Sequence, residues 1–106
     1  MKNLVVMAAG LGYEGLEKRG LLKMAGLEFR SAASAFPAVT CTAQATFRTA
    51  AEPRAHGMTS NGFYSRALMK PAFWEQSAAL VRGARIWEAA RARGETAGMF
   101  FWQQSL

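Results

Sequence analysis

The stretch that decides the fold begins at Phe36 and runs Phe-Pro-Ala-Val-Thr-Cys-Thr-Ala-Gln-Ala-Thr-Phe to Phe47. Its first part, Phe-Pro-Ala-Val, favours extended backbone, because the residue before a proline is held out of the helical region. Its second part predicts a helix over residues 42–50, with Pro53 at its exit. Thr40 therefore falls at a strand-to-helix corner, where unpaired backbone N–H groups and the positive end of the helix dipole favour an anion.

The local pattern leaves two interpretations of Thr40 open. A hydroxyl at such a corner can attack phosphorus if a metal ion or a base removes its proton. Thr before a helix more commonly accepts a backbone hydrogen bond as an N-cap, and either Thr40 or Thr42 fits that role. The local pattern by itself favours the cap.

Outward from this stretch, the sequence predicts strands and helices in alternation. Continuous apolar runs over residues 4–9 and 96–102 are typical of strands covered on both faces. Helices are predicted over residues 14–24 and 84–93, a short helix over 73–81, and a short strand or extended link over 28–35. The Asn61-Gly62 pair predicts a loop or hairpin over residues 57–70. This order indicates an α/β fold with a mostly parallel sheet, which binds ligands at the carboxyl ends of its strands.

Charge and composition exclude several classes of function. Thirteen Lys and Arg residues against seven acidic ones give a net charge of +6, which suits a phosphate-bearing ligand. The basic residues are not interleaved with aromatic ones, so we expect no specific nucleic-acid binding. No apolar stretch approaches the roughly 20 residues of a membrane span, and the first apolar run soon meets Gly10. We therefore expect a cytoplasmic protein with no membrane contact.

The metal-binding residue types are scarce. All seven acidic residues are Glu, no Asp is present, and His56 and Cys41 are the only histidine and the only cysteine. A two-zinc hydrolase site needs several imidazole and carboxylate ligands, so this chain cannot assemble one. Cys41 excludes an intrachain disulfide, and we expect it to be a small buried residue beside the corner.

Three irregular motifs follow one another along the chain: Phe36-Pro-Ala-Val-Thr40, Pro53-Arg-Ala-His-Gly-Met58 and Asn61-Gly-Phe-Tyr64. In this order they resemble the type I phosphodiesterase/nucleotide pyrophosphatase family of the alkaline phosphatase superfamily. Phe73-Trp-Glu-Gln-Ser77, Ile86-Trp-Glu-Ala-Ala90 and Met99-Phe-Phe-Trp102 also look like bacterial members of that family. The resemblance implies a partial alkaline-phosphatase-like sandwich, in which residues 1–106 are the truncated N-terminal portion of one domain.

The resemblance also implies a chemistry. In that family the Thr at the position of Thr40 attacks phosphorus, is transiently phosphorylated or nucleotidylated, and is a zinc ligand. Asn61 matches the Asn whose amide donates to a phosphoryl oxygen, and the backbone N–H of Cys41 would face the same oxygens. The substrate would be a phosphate ester or a nucleotide. Two divalent metal ions, zinc, are implied for the intact domain but not for this chain alone, and His56 is implied to be structural.

One departure from the family pattern lies at Ala9-Gly10, where family members have Asp-Gly and the Asp binds zinc. Alanine cannot bind a metal, and Glu14 is more simply a first-turn helix acid. Two other functions therefore stay open: a catalytically inactive descendant, or a small basic α/β binding module. A second interpretation of Asn61 also stays open, as a residue in a left-handed turn before Gly62. We expect no diesterase activity from the 106-residue chain alone, and its oligomeric state stays open.

Overall fold

The computed structural model describes residues 3–106, and the chain divides into two compact units, Met1–Ala33 and Ser34–Leu106. In the described residues the first unit contains one short helix and the second contains several, and each has a two-stranded antiparallel sheet. The α/β class is therefore as expected at the coarse level. The mostly parallel sheet is not shown, since both sheets in the described residues are antiparallel hairpins. Within residues 3–106, no helix is both long and apolar enough to cross a membrane.

The first unit contains helix α1, Tyr13–Glu17, and a hairpin of strands β1, Lys23–Met24, and β2, Leu27–Glu28. Helix α1 is shorter than the predicted helix over 14–24. Gly20 adopts φ 67° and the N–H of Leu21 bonds to the carbonyl of Leu16, which closes the helix in a Schellman motif. The predicted strand over residues 4–9 is wrong, since these residues are irregular and exposed and Ala9 begins a turn.

The second unit opens with helix α2, Thr40–Thr49, which confirms the predicted helix and begins two residues earlier. Helix α3, Pro53–His56, follows with its proline in the first turn, where a missing N–H does no harm. Strands β3, Gly62–Ser65, and β4, Lys70–Phe73, pair from Gly62↔Phe73 to Ser65↔Lys70. The predicted hairpin is thus present, but Asn61-Gly62 leads into its first strand, and the turn lies at residues 66–69.

The rest of the second unit is less regular than predicted. The expected helix over residues 73–81 is reduced to a 3-10 helix, Ala78–Leu80, whereas helix α4, Ile86–Ala92, confirms the helix predicted over 84–93. The predicted strand over 96–102 is wrong, because residues 95–100 have no regular structure and Phe100 is 81% exposed. Of residues 28–35, only Glu28 lies in a strand, at the end of β2, and residues 29–35 have no regular secondary structure.

The core of the second unit is small and centres on helix α2. Cys41 and Ala45 pack with Met58 and Val81, and Leu80 covers this cluster. The buried face of α2 has helical spacing and also includes polar side chains; its members are Cys41, Thr42, Gln44, Ala45 and Arg48. Burial of this face fixes the rotation of α2, and therefore where its first residues point.

Candidate functional site

The first turn of helix α2 carries the predicted nucleophile. Val39 is the N-cap, in extended backbone at φ −116° and ψ 158°, and no side chain of the N-cap residue caps the helix. Thr40 is therefore the first helical residue and Thr42 lies inside the helix, so the interpretation of either as the N-cap is wrong. Thr40 is half-buried, and its hydroxyl makes no hydrogen bond within the described residues. Its side chain lies where the helix presents free N–H groups.

Asn61 reaches this turn from twenty residues further along the chain. Its Oδ1 accepts a hydrogen bond from the backbone N–H of Cys41 at 2.9 Å. An N–H must face an oxygen, so the amide NH₂ of Asn61 is the group left to donate elsewhere. Asn61 does not have the positive φ of a left-handed turn, so that interpretation is wrong. The structure thus brings together Thr40, Cys41 and Asn61, the three residues that the sequence predicts to act on a phosphoryl group.

The contact revises the role expected of Cys41. Its backbone N–H was expected to face the phosphoryl oxygens, but here it donates to Asn61. Asn61 caps helix α2 from outside the helix, in the place that a Thr side chain was expected to fill. The Cys41 N–H orients the Asn61 side chain, and the amide NH₂ of Asn61 is the donor group that this contact leaves free.

His56 lies at the start of the loop that leads to Asn61, and its ring is fully buried. Its Nδ1 accepts the backbone N–H of Met58 at 3.1 Å, and its Nε2 lies 3.0 Å from the hydroxyl of Thr46 in α2. Since Nδ1 must be the acceptor, the neutral ring carries its proton on Nε2. Burial lowers the pKa of His56 below its ordinary value, and the charges of Arg48 and Arg82 lower it further.

Arg48 is a buried residue that was not predicted from the sequence. It is 1% exposed, and its Nη1 donates to the carbonyls of Gln103 and Gln104 at 2.5 and 2.6 Å, while Nε and Nη2 have no partner. Burial, followed by the charge of Arg85, lowers the pKa of Arg48 to about 10. Only its spacing could have revealed it, because it follows Cys41 by seven residues on the same helical face.

The chain end packs against α2 through glutamine side chains. Gln104 donates from Nε2 to Cys41 Sγ and to the Glu75 carbonyl, both at 3.1 Å. The Gln103 N–H donates to Gln44 Oε1 at 2.8 Å. Cys41, buried as expected, is therefore held by Asn61 at its backbone and by Gln104 at its sulfur. These contacts fix the helix turn that carries Thr40.

The residues present do not fit a metal centre. Within residues 3–106, no group of three or more His, Cys, Asp or Glu side chains could hold a metal ion. Both ring nitrogens of His56 are engaged and Cys41 is fully buried, which removes the two best zinc ligands of the chain. Ala9 offers no ligand atom. The role of Thr40 as a metal ligand stays a prediction.

Comparison with known proteins identifies one family. The family model for type I phosphodiesterase / nucleotide pyrophosphatase matches residues 6–106, which is nearly the whole chain. Neither a curated protein nor a solved structure matches significantly. The matched region includes the turn of Thr40, the Asn61 contact and the loop between them.

Proposed function

The chain belongs to the type I phosphodiesterase/nucleotide pyrophosphatase family, and we propose that it carries the nucleophile and a phosphoryl-binding group of a hydrolase acting on phosphate diesters or nucleotide pyrophosphates. One observation carries this proposal: the hydrogen bond from the Cys41 N–H to Asn61 Oδ1. It places a neutral double donor beside the helix turn of Thr40. A neutral donor stabilises developing negative charge without adding a competing charge.

The reaction proceeds in two displacements. Thr40 Oγ1 forms a bond to phosphorus, the bond from phosphorus to the leaving oxygen breaks, and the hydroxyl proton ends on the leaving group. Water then attacks the phosphorylated or nucleotidylated Thr40, releases the phosphate monoester and restores the hydroxyl. Asn61 donates to a non-bridging oxygen in both steps, and the positive end of α2 favours the same charge.

The family generally depends on metal ions. We propose that two zinc ions, with Thr40 as one ligand, bind only where other residues supply the remaining ligands. The described residues bring no such ligand set together. We propose accordingly that residues 1–106 form the nucleophile-bearing portion of the alkaline-phosphatase-like domain. The mostly parallel sheet is part of the same proposal.

A second candidate function is favoured by Ala9, which stands where the family has a metal-binding Asp. It is a protein that binds phosphate esters at the Thr40 turn without hydrolysing them. The Asn61 donor serves both candidates, because anion binding needs no nucleophile.

The test uses the protein expressed from its complete reading frame, with zinc supplied and bis(p-nitrophenyl) phosphate as the probe. We expect Thr40→Ala to abolish turnover and retain binding of the diester. We expect Asn61→Asp to keep the contact with the Cys41 N–H, because its carboxylate still accepts, but to weaken diester binding about tenfold or more through charge repulsion and the lost donor.

Thr96→Ala is the matched control, since Thr96 is exposed in an irregular segment. It should leave both turnover and binding unchanged. Turnover that persists in Thr40→Ala would refute the role of Thr40 as the nucleophile. Diester binding without turnover in the unmodified protein would favour the second candidate.

A further inference from the structure

We propose that His56 is a positioning residue for the Thr40 turn, and that its protonation in acid releases the loop that holds Asn61 in place. The proposal deepens the function proposed above and rests on it where it concerns phosphate esters. It concerns residues 56–61, called here the Asn61 loop. The ring of His56 lies at one end of this loop and the Asn61 contact with Cys41 at the other.

Three contacts hold the Asn61 loop against helix α2. At its start, the His56 ring joins the backbone N–H of Met58 to the Thr46 hydroxyl of α2. In its middle, the Met58 side chain, 6% exposed, packs in the core cluster with Cys41. At its end, Asn61 accepts the Cys41 N–H. Both sides of the loop are thus tied to one helix, so a change at His56 is transmitted over a short distance.

The turn between His56 and Met58 depends on Gly57. Gly57 adopts φ 84°, a left-handed conformation that favours glycine. A Cβ there would lie 3.1 Å from Nη2 of Arg82, and the backbone N–H of Arg82 donates to the His56 carbonyl at 2.9 Å. This tight turn points the Met58 N–H at the ring of His56, two residues earlier. Nδ1 of that ring accepts the hydrogen bond, as the side-chain oxygen does in an Asx turn.

Protonation of His56 removes that acceptor. An imidazolium carries a proton on Nδ1, so two donors, Nδ1–H and the Met58 N–H, would face each other in a buried place. The charged groups around the ring oppose protonation: Arg48 on helix α2 and Arg82 on the segment after the 3-10 helix are both cations. On its own helix, Arg54 pairs with the N-cap residue Glu52 at 2.8 Å, and both side chains are exposed. The ring is therefore neutral at pH 7.

The sign of the pH effect follows from the lowered pKa. The unfolded or released state binds the proton at about pH 6.5, more readily than the native state does. The contact is therefore fully present above about pH 6.5 and is lost as the pH falls through the native pKa of His56. Removing the charge of Arg82 should raise that pKa and move the loss to higher pH.

The experiment follows the amide protection factors of Met58 and Cys41 between pH 4.5 and 8, in parallel with binding of bis(p-nitrophenyl) phosphate. This diester stays a monoanion in that range, so its own titration does not contribute. Because His56 is the only histidine, its ring signals report its tautomer and titration without ambiguity. We expect an Nε2–H tautomer, and a loss of both amide protections and about tenfold or more of diester affinity at the midpoint of the ring titration.

His56→Asn separates the hydrogen bond from the titration. An asparagine oxygen can accept the Met58 N–H but does not titrate, so both amide protections and diester affinity should be flat from pH 4.5 to 8. His56→Leu should lower both amide protection factors and the diester affinity at every pH. Arg82→Gln should move the midpoint of the His56 ring titration to higher pH. His56→Asn keeps the test decisive if His56→Leu does not fold.

Two results would overturn the proposal: an Nδ1–H tautomer, or the same acid loss in His56→Asn as in the unmodified protein. The amide measurements need neither substrate nor catalysis. If no variant binds the diester at any pH, the proposed function fails, while the Met58 and Cys41 amides still decide whether His56 positions the loop.

Discussion

Arg48 shows what one residue does when its charge is buried without an opposite charge. Two nitrogens of its guanidinium have no partner, and its pKa is lowered to about 10. A native pKa below the unfolded value means that the native state is destabilised at every pH below about 10. The size of the shift corresponds to about 3 kcal/mol, partly offset by the bonds from Nη1 to the two glutamine carbonyls.

We predict that Arg48→Met stabilises the protein by about 1–2 kcal/mol, since methionine keeps the apolar stem and removes the desolvated charge. Urea unfolding at pH 7 measures this change. Arg54→Met is the control, because Arg54 is exposed and its pair with Glu52 should contribute at most about 1 kcal/mol. A clear loss of stability in Arg48→Met would mean that the bonds to the chain end outweigh the buried charge.

The residues of the candidate site differ in how far sequence could predict them. Thr40, Cys41 and Asn61 were predicted together, through the order of three motifs, and the structure brings them together. The direction of the Cys41 N–H was not predictable, because it depends on which atom of Asn61 meets it. The ring contacts of His56 were equally hidden, since its partners, Met58 and Thr46, carry no distinguishing sequence pattern.

At the scale of elements, local chemistry predicted those that need few neighbours. Helices α2 and α4 have helix-forming interiors, and Gly94, with φ 76°, ends α4 in the way its position indicates. The strands expected over residues 4–9 and 96–102 were inferred from apolar runs alone. A strand needs a partner to satisfy its backbone, and the described residues provide none for either run. The apolar pattern of these two runs therefore did not predict whether they pair with another strand.

The end of helix α2 leads to a prediction for an element. Its C-cap, Ala50, lies in the left-handed region at φ 51° and ψ 31°. An L-residue with a Cβ pays about 1–2 kcal/mol there, whereas glycine does not. We predict that Ala50→Gly stabilises the protein by about 0.5–1 kcal/mol in urea unfolding, after the greater flexibility of glycine in the unfolded chain is subtracted.

Ala51→Gly supplies the matched control one residue later. Ala51 has no positive φ, so glycine there should only add flexibility to the unfolded chain and lower stability by about 0.5–1 kcal/mol. A gain of stability in Ala50→Gly together with a loss in Ala51→Gly would confirm the left-handed C-cap at Ala50. A loss of stability in both variants would contradict it.

At the scale of the whole molecule, much apolar surface is left uncovered. The described residues bury few large apolar side chains, while Phe36, Phe100 and Phe101 are 89%, 81% and 102% exposed. Single exposed apolar residues are common, but a run of them is not. Residues 97–102, Ala-Gly-Met-Phe-Phe-Trp, contain no charge and no proline, which is the composition of a segment that pairs with other chains.

We predict that the chain associates with itself through this segment. The weight-average sedimentation coefficient should rise with protein concentration, and the double substitution Phe100→Ser with Phe101→Ser should remove most of that rise. Leu68→Ser is the control: Leu68 is 64% exposed but lies in the short β3–β4 turn, which has the charged residues Arg66 and Lys70 on either side of it, so its loss should change little. Because a net charge of +6 opposes association by repulsion, added salt should strengthen it in the unmodified chain. Unchanged association in the double variant would place the contact elsewhere on the exposed apolar surface, and this segment would then be only an uncovered part of the chain.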